Sequence, residues 1–364
     1  MKRNPLRALL PLLRETESRR GGRFAAQILV LSATLALTTA SCQPYRAPSF
    51  ASDLPPGKPE KHFAVIGDLQ STMKVEAWRE NNDPERRRLV AHITDDPPAF
   101  VVMAGDLVSW GGSADRWEEF DFNTRAIREK NVPVLAVPGN HDYWGDRDLR
   151  YYFEHFRGLE HQRWYERRYG SLGLVFLDSN AKELEAEVWN AQRKWYEERL
   201  EALERDDTVS AVLVFFHHAP RTNSSVVEDD PHALSTFVPP FRTKKKTLAI
   251  VTGHAHGYER FDEKGKAFIV TAGGGGPRSP LLPPEKRRHH DDAFQGPPLR
   301  HLHFVEFTMT PAGLYADVIA LPKGDTEVCR MDHFTLPWPD GAPRETSSRL
   351  HSSRPTLKDC CPVP

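Results

Sequence analysis

Five short segments of this chain close apolar runs with residue types that hold metal ions, and their order restricts the fold to one built on α/β sheets. They are Gly67-Asp68-Leu69-Gln70, Gly105-Asp106-Leu107, Gly139-Asn140-His141-Asp142, His217-His218-Ala219-Pro220 and Gly253-His254-Ala255-His256. The runs before them are Phe63-Ala64-Val65-Ile66, Phe100-Val101-Val102-Met103-Ala104, Pro133-Val134-Leu135-Ala136-Val137, Val212-Leu213-Val214-Phe215-Phe216 and Leu248-Ala249-Ile250-Val251-Thr252. Continuous apolar, β-branched runs of this length read as strands buried on both faces. In open α/β sheets, ligands gather at the carboxyl ends of such strands. A glycine in four of the five segments lets the backbone turn sharply beside the ligand-type residue.

A chain of 364 residues with 39% apolar side chains can bury one large core or two ordinary ones. Its formal charge of -1 carries no basic signal for nucleic acid. The one long apolar stretch, 25–40, follows Lys2, Arg3, Arg7, Arg14, Arg19, Arg20 and Arg23, so residues 1–41 read as an export signal or membrane anchor. Thr39-Ala40-Ser41-Cys42 is an imperfect lipidation site, because a Leu is usual three residues before the Cys. Lipid attachment, simple cleavage and an uncleaved anchor all stay open, with the protein expected in the periplasm, on a membrane or outside the cell.

Residues 42–60, bearing Pro and Ser, read as a flexible linker. The folded domain is expected over 61–322, and the Pro-, Ser- and charge-rich residues 323–364 as a poorly ordered tail. Cys329 can pair with Cys360 or Cys361 in an oxidising compartment, or all three can be free thiols. Helices are expected from Asp83-Pro84 through Ala91, over 113–130 with Trp117, Phe120, Thr124 and Ile127 on one face, and over 188–203. In the last, Trp189, Trp195, Tyr196, Leu200 and Leu203 read as core anchors. Residues 165–178 read as a hairpin, and the runs 267–271, 302–309 and 314–321 as a second, antiparallel set of strands.

Two cations a few ångströms apart need a shared anionic bridge and several neutral ligands, or the site repels a phosphate ester. Asp68 and Asp106 supply the anions; Asn140, His218, His254 and His256 supply the neutral groups. His254 and His256, two apart in an extended segment, share a face and can serve one ion each. Asp142 falls where a carboxylate can orient His141.

The motifs Gly-Asp-x-x, Gly-Asp, Gly-Asn-His-Asp, His-x-Pro and Gly-His-x-His, in this order from Gly67 to His256, resemble those of calcineurin-like metallophosphoesterases. Gly253-His254-Ala255-His256-Gly257-Tyr258-Glu259-Arg260 is similar to the last motif of the purple acid phosphatase-like group. His218-Ala219-Pro220 with Asn223-Ser224 resembles its penultimate motif, which favours His218 over His217 as the ligand.

The resemblance implies a four-layer α/β/β/α sandwich of two mixed sheets holding two divalent or trivalent ions, Mn, Fe or Zn. One ion would sit on Asp68, Asp106 and His256, the other on Asp106, Asn140, His218 and His254, with His141 contacting the phosphoryl oxygen. The implied activity is hydrolysis of a phosphoester, as a phosphatase, by in-line attack of an activated hydroxide on phosphorus. A phosphodiesterase, a nucleotide or sugar-nucleotide pyrophosphatase and a catalytically inactive binding scaffold are the alternatives. The scaffold reading draws on Gln70, which stands where the family has a His ligand; a Gln carbonyl oxygen coordinates more weakly. Ser109 stands where purple acid phosphatases have a Tyr.

Outside the motifs, Arg278 in the basic segment 277–298 is a candidate to grip substrate, with that segment either a lid or a solvated loop. Trp110, Tyr143 and Trp144 either wall the pocket or pack in the core. His217 reads as a supporting residue able to exchange roles with His218, and His301 and His303 as an ordinary edge pair.

Overall fold

A computed structural model of the chain describes residues 45–55, 61–76, 78–339 and 357–360. The expected export signal and the Cys42 site lie outside the described residues. Among those described, no helix is long and apolar enough to cross a membrane.

The strands in chain order are β1 (Phe63–Ile66), β2 (Val101–Met103), β3 (Val134–Ala136), β4 (Tyr165–Tyr169), β5 (Leu172–Phe176) and β6 (Ala211–Phe215). They continue with β7 (Thr247–Thr252), β8 (Tyr258–Glu263), β9 (Lys266–Thr271), β10 (Leu302–Thr310), β11 (Gly313–Leu321) and β12 (Cys329–Pro337). One six-stranded sheet has the order β12-β11-β10-β1-β2-β3, the other β4-β5-β6-β7-β9-β8. Both are mixed: β1, β2 and β3 are parallel while β10 runs against β1. Likewise β5, β6, β7 and β9 are parallel, flanked by antiparallel β4 and β8.

Side-chain alternation makes the four layers. Leu174, Phe176, Leu213 and Phe215 join a core shared with β1, β2 and β10 of the other sheet. Val175, Val212 and Val214, one residue out of phase, instead meet Tyr196, Leu200 and Leu203 of a helix over Ala186–Arg205. The outer face of the first sheet is covered by α1 (Asp83–Asp95) and α2 (Ala114–Glu129); we call the Ala186–Arg205 helix α3. Trp117, Phe120 and Ile127 of α2 recur at helical spacing and are buried, as the sequence predicts. Phe63 stacks on Phe100 at 4.8 Å and on Phe307 at 5.2 Å, tying β1 into the centre. Truncating such a ring to Ala typically costs about 3–5 kcal/mol.

Three expectations change, and one open pairing is resolved. Strands β10 and β11 extend the first sheet and β9 belongs to the second, so the three runs do not form a set of their own. The stretch read as a linker is docked where it is described: Ala47 and Phe50 are buried, and Phe50 N–H donates to the His155 carbonyl at 2.9 Å. The tail read as unordered contributes β12, paired with β11 over most of its length. Cys329 and Cys360 are joined by a disulfide. In α3, Trp195 is only half-buried, and Gln192 takes a core place by bonding both the N–H and the carbonyl of Asp178.

Candidate metal centre

The loops after β1, β2 and β3 carry Asp68, Gln70, Asp106, Asn140 and His141, and those after β6 and β7 carry His217, His218, His254 and His256. The five segments thus come from two sheets to one end of the sandwich. Four of the candidate ligands, Asp68, Asp106, His254 and His256, have positive φ of 61°, 52°, 70° and 50°. Left-handed backbone in non-glycine residues costs of order 1 kcal/mol or more each and persists where the surroundings over-determine it, as at functional sites. Close approach demands glycine at two neighbours. A Cβ on Gly139 would stand 2.2 Å from the Asp106 N and Oδ1, and one on Gly253 would stand 2.6 Å from Asp68 Oδ2.

Two clusters of ligand-capable atoms lie within 4.8 Å: Asp68, Asp106 and His256, and Asp106, His217 and His254. Asp106 is common to both. His256 Nε2 is 3.4 Å from Asp68 Oδ1, and His217 Nε2 is 3.3 Å from Asp106 Oδ2. Gln70 belongs to the first cluster, its Nε2 lying 3.2 Å from Asp106 Oδ2 and 3.0 Å from His256 Nε2. His218 lies beside His254, ring centroids 4.5 Å apart, with its Nδ1 2.9 Å from Ser179 Oγ. It lines a cleft of about 320 Å³ together with Asn140 and His254, whereas His217 is fully buried and its Nδ1 is 2.9 Å from the Ala104 carbonyl.

The donor chemistry fits a pair of metal ions. Gln70 Oε1 and Asn140 Oδ1 are buried with no hydrogen-bond partner, beside two buried carboxylates. Buried acceptors are normally satisfied, so an orphaned pair next to neutral imidazoles suits cations with nitrogen and oxygen ligands. Burial pushes the Asp68 carboxyl up, and Asp106 nearby adds to it. Burial opposes ionisation of Asp106 as well, yet His217 and His141 hold it well below the usual carboxylate range. Burial lowers His218 to about 3 and His256 to about 4, keeping both rings neutral as ligands must be. His217 differs: burial works against its charge, but Asp106 and Asp68 bring it up to about 9.

His141 is oriented differently from the sequence expectation. Its Nδ1 meets the Ser109 carbonyl at 3.0 Å, which leaves Nε2 facing Asp106 Oδ2 at 3.9 Å. Asp142 does not touch the ring. Its carboxylate accepts from the N–H groups of Leu107, Val108 and Gly139, so its oxygens staple the β2 and β3 loops together. Asp142 is therefore a backbone anchor, and a carbonyl aims His141.

Arg278 is also a correction. The Nε–Nη2 edge of its guanidinium is taken by Glu80, at 2.9 and 2.7 Å, and Nη1 donates to the Arg300 carbonyl at 3.3 Å, so its charge is already paired with a carboxylate. A cation that does reach the site is Arg79. It lines a cavity of about 120 Å³ with Asp106, His141, Val226, Val227, His254, His256 and Ser279. Arg79 and His256 share one acceptor, the Pro277 carbonyl, at 3.2 and 2.7 Å. In the sequence Arg79 stands apart from every motif, and only its position shortly after the first one hints at the role.

The segment 277–298 is clamped onto its neighbours rather than free. Arg288 donates to the carbonyls of Thr222, Ser224 and Val227, and His289 meets Asp229 at 2.8 Å. Trp144 packs on His141 with centroids 3.8 Å apart and lines the cleft, so it walls the site; Tyr143 is buried and bonds Asp178. His303 Nδ1 meets the His301 carbonyl at 2.9 Å, an ordinary local contact.

An α/β/β/α sandwich that gathers carboxylates and imidazoles at its strand ends is a metallohydrolase framework. Residues 61–258 match the family model of the calcineurin-like phosphoesterases, and the chain belongs to this family of metal-dependent phosphoesterases. Similar solved structures include a purple acid phosphatase from yellow lupin seeds, 16% identical with TM-score 0.60, the match covering 78% of this chain and 55% of that one. A dimetal phosphatase from Danio rerio is 15% identical with TM-score 0.53, covering 77% of this chain and 100% of that one. PhoD is 14% identical with TM-score 0.56, covering 86% of this chain and 76% of that one. At these identities the likeness is one of fold. No curated protein matches the chain.

Proposed function

We propose that this protein is an exported phosphatase that hydrolyses phosphoesters with two metal ions. The observation that carries the reading is the pair of ligand clusters joined through Asp106. In this reading Asp68, Gln70, Asp106 and His256 hold one ion, and Asp106, Asn140, His218 and His254 the other. His217, although it stands in the second cluster, is held charged by Asp106 and Asp68, so the neutral His218 beside His254 is the ligand. When bound, such a pair supplies a water acidic enough to attack at neutral pH and offsets charge on the phosphoryl group. His217 donates to the shared Asp106 from below.

The remaining steps belong to the chain's own groups. His141, its Nδ1–H given to Ser109, points Nε2 into the cavity, where it contacts a phosphoryl oxygen and protonates the departing one. Arg79 across the same cavity offsets the ester's charge. Diester hydrolysis is a second reading, favoured by the cleft of about 320 Å³ beyond Asn140 and His218, which offers room for another ester arm. Export is supported by the Cys329–Cys360 disulfide, a bond kept in oxidising compartments.

Metal content and turnover of a monoester and a diester, measured on the same preparation, test the reading. Two ions per chain and chelator-sensitive monoester hydrolysis are expected. Hydrolysis that survives removal of all metal overturns it.

A further inference from the structure

Among the described residues, Arg86 and Arg300 are the arginines buried from solvent, and their surroundings differ. Arg300 faces the equally buried Asp292 at 3.1 Å and donates to the carbonyls of Tyr258, Pro297 and Phe294, an ordinary structural pairing. Arg86, in α1, has only partly exposed carboxylates near it, Asp83 at 2.8 Å and Glu119 at 3.8 Å, and its Nε has no partner. Burying an incompletely paired cation is unfavourable, and burial works against the charge of this one.

What Arg86 holds lies at the metal centre. Its Nη2 donates to the Gln70 carbonyl at 3.0 Å and to the Gly275 carbonyl at 3.2 Å. Gly275 belongs to the run Gly273-Gly274-Gly275-Gly276, which lies along the first ligand loop as a backbone strap. Gly274 N–H donates to the Gly67 carbonyl at 2.8 Å and Gly276 N–H to the Asp68 carbonyl at 2.9 Å. Arg86 makes the third tie, to Gln70. The strap has no room for side chains. A Cβ on Gly275, where φ is 143°, would stand 2.5 Å from Arg86 Nε, and one on Gly276 would stand 2.9 Å from His256 Cε1 and 3.3 Å from Gln70 Oε1. Asn82, at the start of α1, fastens the same strap through Nδ2 to the Gly276 carbonyl at 3.0 Å.

Gln70 needs such support more than an imidazole would, because its side chain is long and freely rotating and its carbonyl oxygen coordinates more weakly. Its backbone N–H is already fixed by the Asp106 carbonyl at 3.0 Å, so its carbonyl end depends on Arg86. We propose that Arg86 is a positioning residue for the first ion: by joining the Gln70 and Gly275 carbonyls it fixes the backbone from which Gln70 Oε1 reaches the metal. This rests on the reading of Gln70 as a ligand of the two-ion centre.

The test is a double-mutant cycle on the metal-free full chain, titrated with manganese chloride by calorimetry, with Arg86→Met, Gln70→Ala and the two combined. Gln70→Ala identifies the binding step that belongs to the first ion. With Gln70 present, Arg86→Met should weaken that step about 10–100-fold and leave the other within about twofold. In the Gln70→Ala background the same substitution should cost about threefold or less. Equal loss in both backgrounds, equal loss of both ions or unchanged binding overturns the proposal, because an arginine that only supports the fold gives one of these. Arg86→Lys keeps the charge without the planar fork, and it carries the same cycle, with a smaller loss, where the Met variant does not fold. A monoester assay on the wild type keeps the two readings apart. Coupling without ester hydrolysis leaves Arg86 in its role and removes the phosphatase, and hydrolysis without coupling removes Arg86 alone. If no binding step responds to Gln70→Ala, the proposal falls with the assignment of Gln70.

Discussion

The two sheets give the centre different chemistry. The first brings oxygen donors, Asp68, Gln70, Asp106 and Asn140, and the second brings imidazoles, His217, His218, His254 and His256. Neither sheet alone can hold a pair of ions without excess charge or a shortage of anions. The centre therefore exists only when the sandwich is assembled, and hydrogen bonds between the two sets of loops tie binding to folding. His254 N–H donates to both Asp68 oxygens at 3.1 and 3.0 Å, and His217 Nδ1 meets the Ala104 carbonyl at 2.9 Å. Second-sheet carboxylates serve structure instead: Glu259 of β8 accepts from Asn223 N–H and from the Thr222 hydroxyl, holding the segment that carries Val226.

Removing the one residue shared by both clusters breaks the comparison most severely. Asp106→Ala is expected to lose both ions and to lower turnover by about 10³-fold or more, ~4 kcal/mol of barrier. Metal analysis beside a monoester assay checks it, and wild-type turnover refutes the assignment. On the imidazole side, His218→Ala should release one ion, whereas His217→Ala should retain two but weaken them by about 10–100-fold, the usual cost of losing a supporting partner. Chelator titrations separate these outcomes, and the reverse pattern would exchange the roles of the two histidines.

Giving the oxygen side an imidazole sharpens the contrast. Gln70→His is expected to tighten the first ion by about tenfold, read from metal retained on dialysis. Unchanged retention would mean that position 70 does not coordinate.

The smallest effect is expected at Glu259, whose carboxyl burial pushes up to about 7. In the unfolded chain the group titrates near ~4.3, so between these values the folded state holds a proton that the unfolded state has lost. Its contribution to stability therefore falls as pH rises through that window. Glu259→Gln should flatten part of the wild-type decline between pH 5 and 7 in urea denaturation, and identical slopes would remove Glu259 as the cause.

The parts legible in sequence were those where one local signal carries the physics. Buried strands read as continuous apolar runs, and ligand residues sat at their ends. The roles that escaped depend on partners far away in the chain. Arg278 looks free until Glu80, 198 residues distant, is seen to occupy it. Asp142 looks like a partner of its neighbour His141 until the backbone of the β2 loop claims its oxygens. Strand β12 was hidden because it is half-exposed and irregular: Ile319 pairs with Arg330 and Val318 with Asp332, so Met331 is an extra residue that shifts the alternation. The docking of the Pro-bearing segment before the domain escaped for the same reason, since Phe50 N–H finds its acceptor in the distant His155 carbonyl.

Strand β12 ends the first sheet, and an open strand edge is a template for a second molecule. Here the far end of the chain occupies part of it. Arg330 N–H donates to the Lys358 carbonyl and Cys360 N–H to the Arg330 carbonyl, both at 2.9 Å, and the Cys329–Cys360 bond fastens this short cap in place. Reducing that bond would leave the cap held by these two hydrogen bonds alone and bare the backbone of Arg330 at the edge when they open.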